Sequence, residues 1–204
     1  MKLYYSPGAC SLSPHIVLNE GGFSFDKEKV DLTSKKTETD ADYTAVNPDG
    51  YVPALVLDDG QVLTEGPAII QYLADCVPEK RLSPPMGTIE RYRLMQWLNF
   101  ISTELHKGFS PLFNPQAPEE WKAVATAQLA RRLNTVSQQL EGKAWLLGND
   151  FTVADAYLFT VLGWGRYVGV DMERWPVLKA YQGRVFMRPA VQSTLKAEGL
   201  LQDS

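Results

Sequence analysis

The hydrophobic pattern of this chain changes period once, near residue 80, and that change sets what the two stretches can become. Before it, short alternating segments take turns with short helical ones. Lys2 to Tyr5 reads as a strand and Ser6-Pro7-Gly8 as a turn. Ser11 to Glu20 reads as a helix ended by Gly21-Gly22, and Pro14 is tolerable because it lies in the first turn. Phe25 to Asp31 alternates apolar and polar residues, as a strand does. Thr33 to Thr39 is a polar loop, and Asp42 to Val46 a short helix stopped by Asn47-Pro48. Ala54 to Leu57 and Gln61 to Thr64 flank Asp58-Asp59-Gly60, a strong hairpin signal. Gly66 to Asp75 then carries Ala68, Ile69, Tyr72 and Leu73 at helical spacing.

The order is strand, helix, strand, helix, strand, strand, helix, which is that of an α/β thioredoxin-like domain. Val77 to Gly87 holds Pro78, Pro84 and Pro85 and is the expected boundary, giving domains 1–80 and 87–204. After it the chain is expected to be all-α. Ile89 to about Phe109 reads as one long helix with Leu94, Trp97, Leu98, Ile101 and Leu105 on its apolar side. Further helices are expected over Pro118 to Leu140, Thr152 to about Val168, Trp175 to Met187 and Pro189 to Ala197. Thr152-Val153-Ala154-Asp155 has the form of a capping box and reads as folding information.

Composition excludes several classes. Hydrophobic residues make up 45% and charged residues 22%, so a folded globular chain is expected. Net charge is -4 and no Lys/Arg cluster exceeds two, which argues against a nucleic-acid partner. No apolar signal core follows Lys2, and nothing approaches a membrane span, so a cytoplasmic location is expected. Two cysteines, Cys10 and Cys76, suggest a reducing compartment, and with His15 and His106 they lack metal-ligand spacing.

Chemistry can reside at few places. Cys10 precedes the first helix, where unpaired amides and the helix dipole favour a thiolate. It begins Cys10-Ser11-Leu12-Ser13, with no second cysteine to resolve a mixed disulfide, so the choice is between a reactive thiol and an inert buried one. His106 lies along the long helix, and regular spacing places Asn99, Thr103 and His106 on one face with Glu104 about half a turn away. A lone helical histidine is also an ordinary structural residue. Glu65-Gly66 opens the helix that closes the first domain. Amides there suit a carboxylate, and Glu65 suits an ammonium. Val52-Pro53 opens a strand.

Taken together, several stretches resemble bacterial beta-class glutathione transferases. They are the opening Met1 to His15, Asn47-Pro48-x-Gly50-x-Val52-Pro53, Leu63-Thr64-Glu65-Gly66-x-Ala68-Ile69, Trp97-Leu98-Asn99, Glu104-Leu105-His106-Lys107-Gly108 and Phe151 to Tyr157. The resemblance runs from residue 1 to about Leu200. It implies a thioredoxin-like domain plus a helical domain, in a homodimeric cytoplasmic enzyme of detoxification. Carried over, Cys10 faces the sulfur of glutathione and His106 donates to it. Val52, before a cis Pro53, pairs its backbone with the tripeptide. Glu65 and Gly66 hold the γ-glutamyl group, and Lys35 meets the glycyl carboxylate. Asn99 and Glu104 complete a polar rim, one of them reaching across the dimer, with Glu104 favoured. Phe109, Phe113, Trp164 and Tyr167 are candidates for an apolar wall around a small electrophile, or for plain core. One departure is Gly66, where other classes carry Ser or Thr, so that only backbone amides remain for the carboxylate. The Tyr or Ser activator of other classes is not evident either. A glutathione-dependent thiol transferase, a reductive dehalogenase and a non-catalytic binding or regulatory protein on the same fold are the alternatives.

Overall fold

The computed structural model describes residues 1–201. Its contacts divide the chain into two units. One holds Met1–Leu82 together with the stretch from Met187 onward, and the other is Ser83–Phe186.

The first unit is built on one sheet. Its strands are β1 (Lys2–Tyr5), β2 (Asp26–Asp31), β3 (Lys36–Thr37), β4 (Ala54–Val56) and β5 (Val62–Thr64), in the order β3-β2-β1-β4-β5. β1 runs parallel to β2 and antiparallel to β4, with Tyr4 opposite Ala54. β4 and β5 form the hairpin signalled by Asp58-Asp59-Gly60, with Gly60 at φ 85. Helices α1 (Leu12–Gly21) and α2 (Gly66–Cys76) pack against each other. Gly22 ends α1 in the left-handed region at φ 74, where a side chain is disfavoured, and its N–H closes onto Asn19 and Leu18. The loop expected over Thr33 to Thr39 contains β3, too short to leave a periodic trace, and the helix expected at Asp42 to Val46 is a 3-10 turn, Tyr43–Ala45. Tyr4, Val30, Tyr43, Val52 and Ala54 form a buried cluster on the sheet.

α8 (Pro189–Ala197) also belongs to this unit. Its placement departs from the expected helical domain 87–204, of which residues 202–204 lie outside the described residues. Side-chain chemistry accounts for it. α8 packs on α1, burying Val191, Thr194 and Leu195. Asn19 donates to the Thr194 hydroxyl at 2.7 Å, and Arg188 grips Glu20 through two nitrogens at 2.6 and 2.8 Å.

The second unit is helical. α3 (Ile89–Phe100) passes through one π-helical stretch, Ile101–His106, into α4 (Lys107–Phe113). The regular helix expected over Ile89 to Phe109 is thus interrupted by a wide turn. α5 (Glu119–Leu140) starts with Glu119 and Glu120, acids that suit a helix N-terminus. α6 (Val153–Leu162) is buried along nearly its whole length and gives way to a 3-10 turn, Gly163–Tyr167, short of the expected Val168. α7 (Pro176–Phe186) packs on α5 and α6.

The capping box at Thr152 and Asp155 is present. Asp155 does more than start α6. Its carboxylate accepts from the amides of Leu146 and Thr152 at 2.9 and 2.8 Å and from the hydroxyls of Thr152 and Tyr181 at 3.0 and 2.9 Å. Burial raises its pKa against the pull of these donors. No helix of the described residues is long and apolar enough to cross a membrane.

Candidate active site

In the first unit the sequence-predicted residues gather around the start of α1 and the approach to β4. Cys10 sits two residues before α1, partly exposed, with its thiol donating to the Val52 carbonyl at 3.1 Å. The turn that carries it is closed on itself. Ser11 accepts from the Ser6 amide and donates to the Ser6 carbonyl, and Ser13 donates to the Cys10 carbonyl at 3.0 Å.

Val52 is held in place by its neighbours. Its side chain lies in the buried sheet cluster. The preceding carbonyl, of Tyr51, accepts from the Tyr43 hydroxyl at 2.7 Å and from Asn47 at 2.8 Å. The Val52-Pro53 bond is cis. Gly66 lies beside this segment, since a Cβ on it would come to 3.9 Å from Pro53 Cγ. No described residue accepts from the N–H of Val52 or of Gly66.

Glu65 is exposed and is the N-cap of α2, at φ 65 and ψ 107, a strained conformation for a residue with a side chain. Several amides were expected at this helix start. Pro67 has none, and the amide of Ala68 already bonds the Glu65 carbonyl at 2.9 Å, so Gly66 supplies the open one. Lys35 lies across Gly50, where a Cβ would meet its chain at 3.0 Å. It donates to the Gly50 carbonyl at 2.9 Å, with its ammonium over the Tyr51 ring.

In the second unit His106 ends the π-helical stretch. Its Nδ1 is 2.7 Å from the Tyr157 hydroxyl, and its ring meets Trp164 edge to face at 4.7 Å between centroids. Burial, and then the charge of Lys107, push its pKa down to about 4, so the ring is neutral near pH 7. Phe109, Phe113 and Trp164 form an aromatic cluster with it, at centroid distances of 5.8 to 6.4 Å among the three. Phe109 is fully buried, whereas Phe113 is half exposed. Tyr167 is exposed and is paired with Arg166 rather than with this cluster.

The wide turn also revises the expected helix face. An i→i+5 turn adds about one residue to the helical phase, on the order of 100°. Asn99 is exposed while His106 is half-buried, so seven-residue spacing does not bring them to one environment. Glu104 is engaged by Arg132 of the same chain at 2.6 Å.

Three contributors escaped sequence reasoning. Tyr157 stood in a quoted motif, but nothing in the spacing joins it to His106. Asn47 was legible as a turn residue and not as the support of Tyr51. Glu198 carried no signal. Its buried carboxylate accepts from the Gly8 amide at 2.9 Å and meets His15 Nδ1 at 2.7 Å, tying the end of the chain to the turn that carries Cys10.

Comparison with known proteins defines the class. Residues 8–76 match the glutathione S-transferase N-terminal domain, and residues 100–189 match the glutathione S-transferase C-terminal domain. The chain is 53% identical to glutathione S-transferase GstA of Escherichia coli O157:H7 over 200 residues, covering 98% of this chain and 100% of that one. Among solved structures it is similar to BphK, a bacterial GST solved as a ternary complex, at 62% identity, TM-score 0.97 and coverage of 98% and 100%. It is also similar to the bacterial beta class glutathione S-transferase of Sphingomonas chungbukensis, at 51% identity, TM-score 0.95 and the same coverage. The chain belongs to the glutathione S-transferase family, in its bacterial beta class, and is an enzyme of that kind. Among the described residues no cluster of His, Cys, Asp or Glu is suited to a metal ion.

Proposed function

We propose that this transferase joins the sulfur of glutathione to small hydrophobic electrophiles, with Cys10 and His106 as its catalytic residues. The observation that carries the glutathione half is the pair of open backbone donors at Val52 and Gly66 on either side of Pro53, beside the Cys10 thiol. A peptide ligand needs such extended backbone, and a carboxylate needs an amide at a helix start. In this reading Val52 and Pro53 align the tripeptide, Glu65 and Gly66 take the γ-glutamyl group, and Lys35 takes the glycyl carboxylate. Asn99 and Glu104 form a polar rim. His106 donates a hydrogen bond to the sulfur and favours its thiolate, which attacks the electrophilic carbon and expels the leaving group. The half-exposed edge of the Phe109, Phe113 and Trp164 cluster supports an aromatic or otherwise apolar acceptor. Tyr167 stands apart from that cluster and is its weakest member.

An activated aryl halide tests this directly. Conjugation that saturates in glutathione is expected, and calorimetry without binding at millimolar glutathione would end the reading. Thiol–disulfide exchange is a second activity of the same site. The partly exposed Cys10 can attack oxidised glutathione, forming a mixed disulfide and releasing reduced glutathione. Mass spectrometry should find one glutathione on the Cys10 peptide; labelling of Cys76 instead would contradict this. We further propose a cytoplasmic homodimer serving detoxification. Sedimentation should give about twice the 22.8 kDa chain mass, and a monomer would remove that part.

A further inference from the structure

A neutral histidine donates from one ring nitrogen only, and which one is set by the bond its other nitrogen makes. For His106 that bond is to Tyr157. The Tyr157 hydroxyl lies 2.7 Å from Nδ1, and the ring is carried by α6, almost wholly buried. The imidazole is packed edge to face against Trp164 at 4.7 Å and Tyr157 at 6.0 Å, which holds the ring plane, and a 180° flip within that plane would break the Nδ1–Tyr157 bond. A phenol is a stronger acid than a neutral imidazole N–H, and an imidazole nitrogen is a stronger base than a phenol oxygen. Of the two arrangements, an O–H···N bond from Tyr157 to Nδ1 is therefore the stronger. The imidazole proton is left on Nε2, which has no partner among the described residues.

We propose that Tyr157 is a positioning residue whose hydroxyl donates to Nδ1 of His106 and fixes the ring in its Nε2–H form. His106 then presents a permanent donor from Nε2 and takes no proton from whatever meets that nitrogen. Burial supports this, because a ring with its pKa near 4 stays neutral across the working range of pH. The kinetic consequence rests on the reading above, in which that donor meets the glutathione sulfur. The tautomer does not rest on it.

The chain contains two histidines, so a long-range ¹H–¹⁵N spectrum of the labelled protein shows two imidazoles, and loss of one set in His106→Ala assigns them. At pH 7 the wild type should show an acceptor-type Nδ1 and a donor-type Nε2 for His106. In Tyr157→Phe both shifts should move toward the average of exchanging tautomers. With an aryl halide, kcat should fall about 3–10-fold, as expected for one misdirected hydrogen bond, while the glutathione KM stays within about 2-fold. A donor-type Nδ1 in the wild type overturns the proposal and needs no variant to fold. An unchanged His106 spectrum in Tyr157→Phe overturns it too, and an unchanged kcat once the tautomer has shifted overturns the kinetic consequence. Should the wild type conjugate nothing, the transferase reading fails while the spectrum still decides the tautomer.

Discussion

His106 and Glu65 illustrate two ways in which a single side chain can serve one ligand. A donor that strengthens as charge gathers on sulfur acts mainly in the reacting state, whereas an ion pair to an ammonium acts equally before and during reaction. His106→Ala should therefore lower kcat by about 1–3 kcal/mol of barrier, roughly 5–150-fold. Glu65→Ala should raise the glutathione KM with kcat largely kept. Steady-state kinetics of the two variants check this, and the opposite pattern would exchange their roles. His106 also ties stability to pH. Its folded pKa, about 4, lies below the ordinary 6.5, so between these values the unfolded chain binds more protons than the folded one. Stability from this group is complete above about pH 6.5 and declines as pH falls toward 4, by up to about 3 kcal/mol. Urea midpoints measured from pH 7 to pH 4 should fall less steeply in His106→Ala than in the wild type.

At the scale of elements, Asp155 supports the helical unit through four buried hydrogen bonds. Asp155→Ala would leave the amides of Leu146 and Thr152 and the Tyr181 hydroxyl without their buried acceptor. The cost should be about 3 kcal/mol or more, beyond the 0.5–2 of a simple cap, with little change in the glutathione KM. Thermal or urea unfolding of the variant checks it. This element was legible from four residues, because a capping box is local chemistry. So were the hairpin at Asp58-Asp59-Gly60 and the stop at Gly22, since turns depend on residues that adopt unusual backbone angles. The π-helical stretch Ile101–His106 was not. Its apolar residues, Ile101 and Leu105, sit four apart as in any helix, and only packing reveals the extra residue. The Tyr157–His106 contact and the latch at Glu198 were illegible for a related reason: they join residues 51 and 183 or more positions apart, with no periodicity between. The family resemblance supplied the site roles where spacing alone left Cys10 and His106 open.

For the molecule as a whole, the first unit is made from both ends of the chain. Glu198 closes it, accepting from Gly8 and meeting the buried His15. Glu198→Ala should destabilise this unit on the order of 3 kcal/mol, since it strips a partner from the buried His15 and from the partly buried Gly8 amide at once. It should also change the rate at which Cys10 is alkylated, because Gly8 belongs to the turn that carries it. Unfolding curves with iodoacetamide labelling would show both effects. An unchanged labelling rate in a destabilised variant would confine Glu198 to structure. The same latch sets an order of events during translation. Glu198 is made 190 residues after Gly8. At about 5–20 residues per second the ribosome takes roughly 10–40 s to cover that distance. The helical unit is complete at Phe186, before Glu198 is made, so a nascent chain can fold that unit while the turn bearing the cysteine stays unlatched until Glu198 has been synthesised.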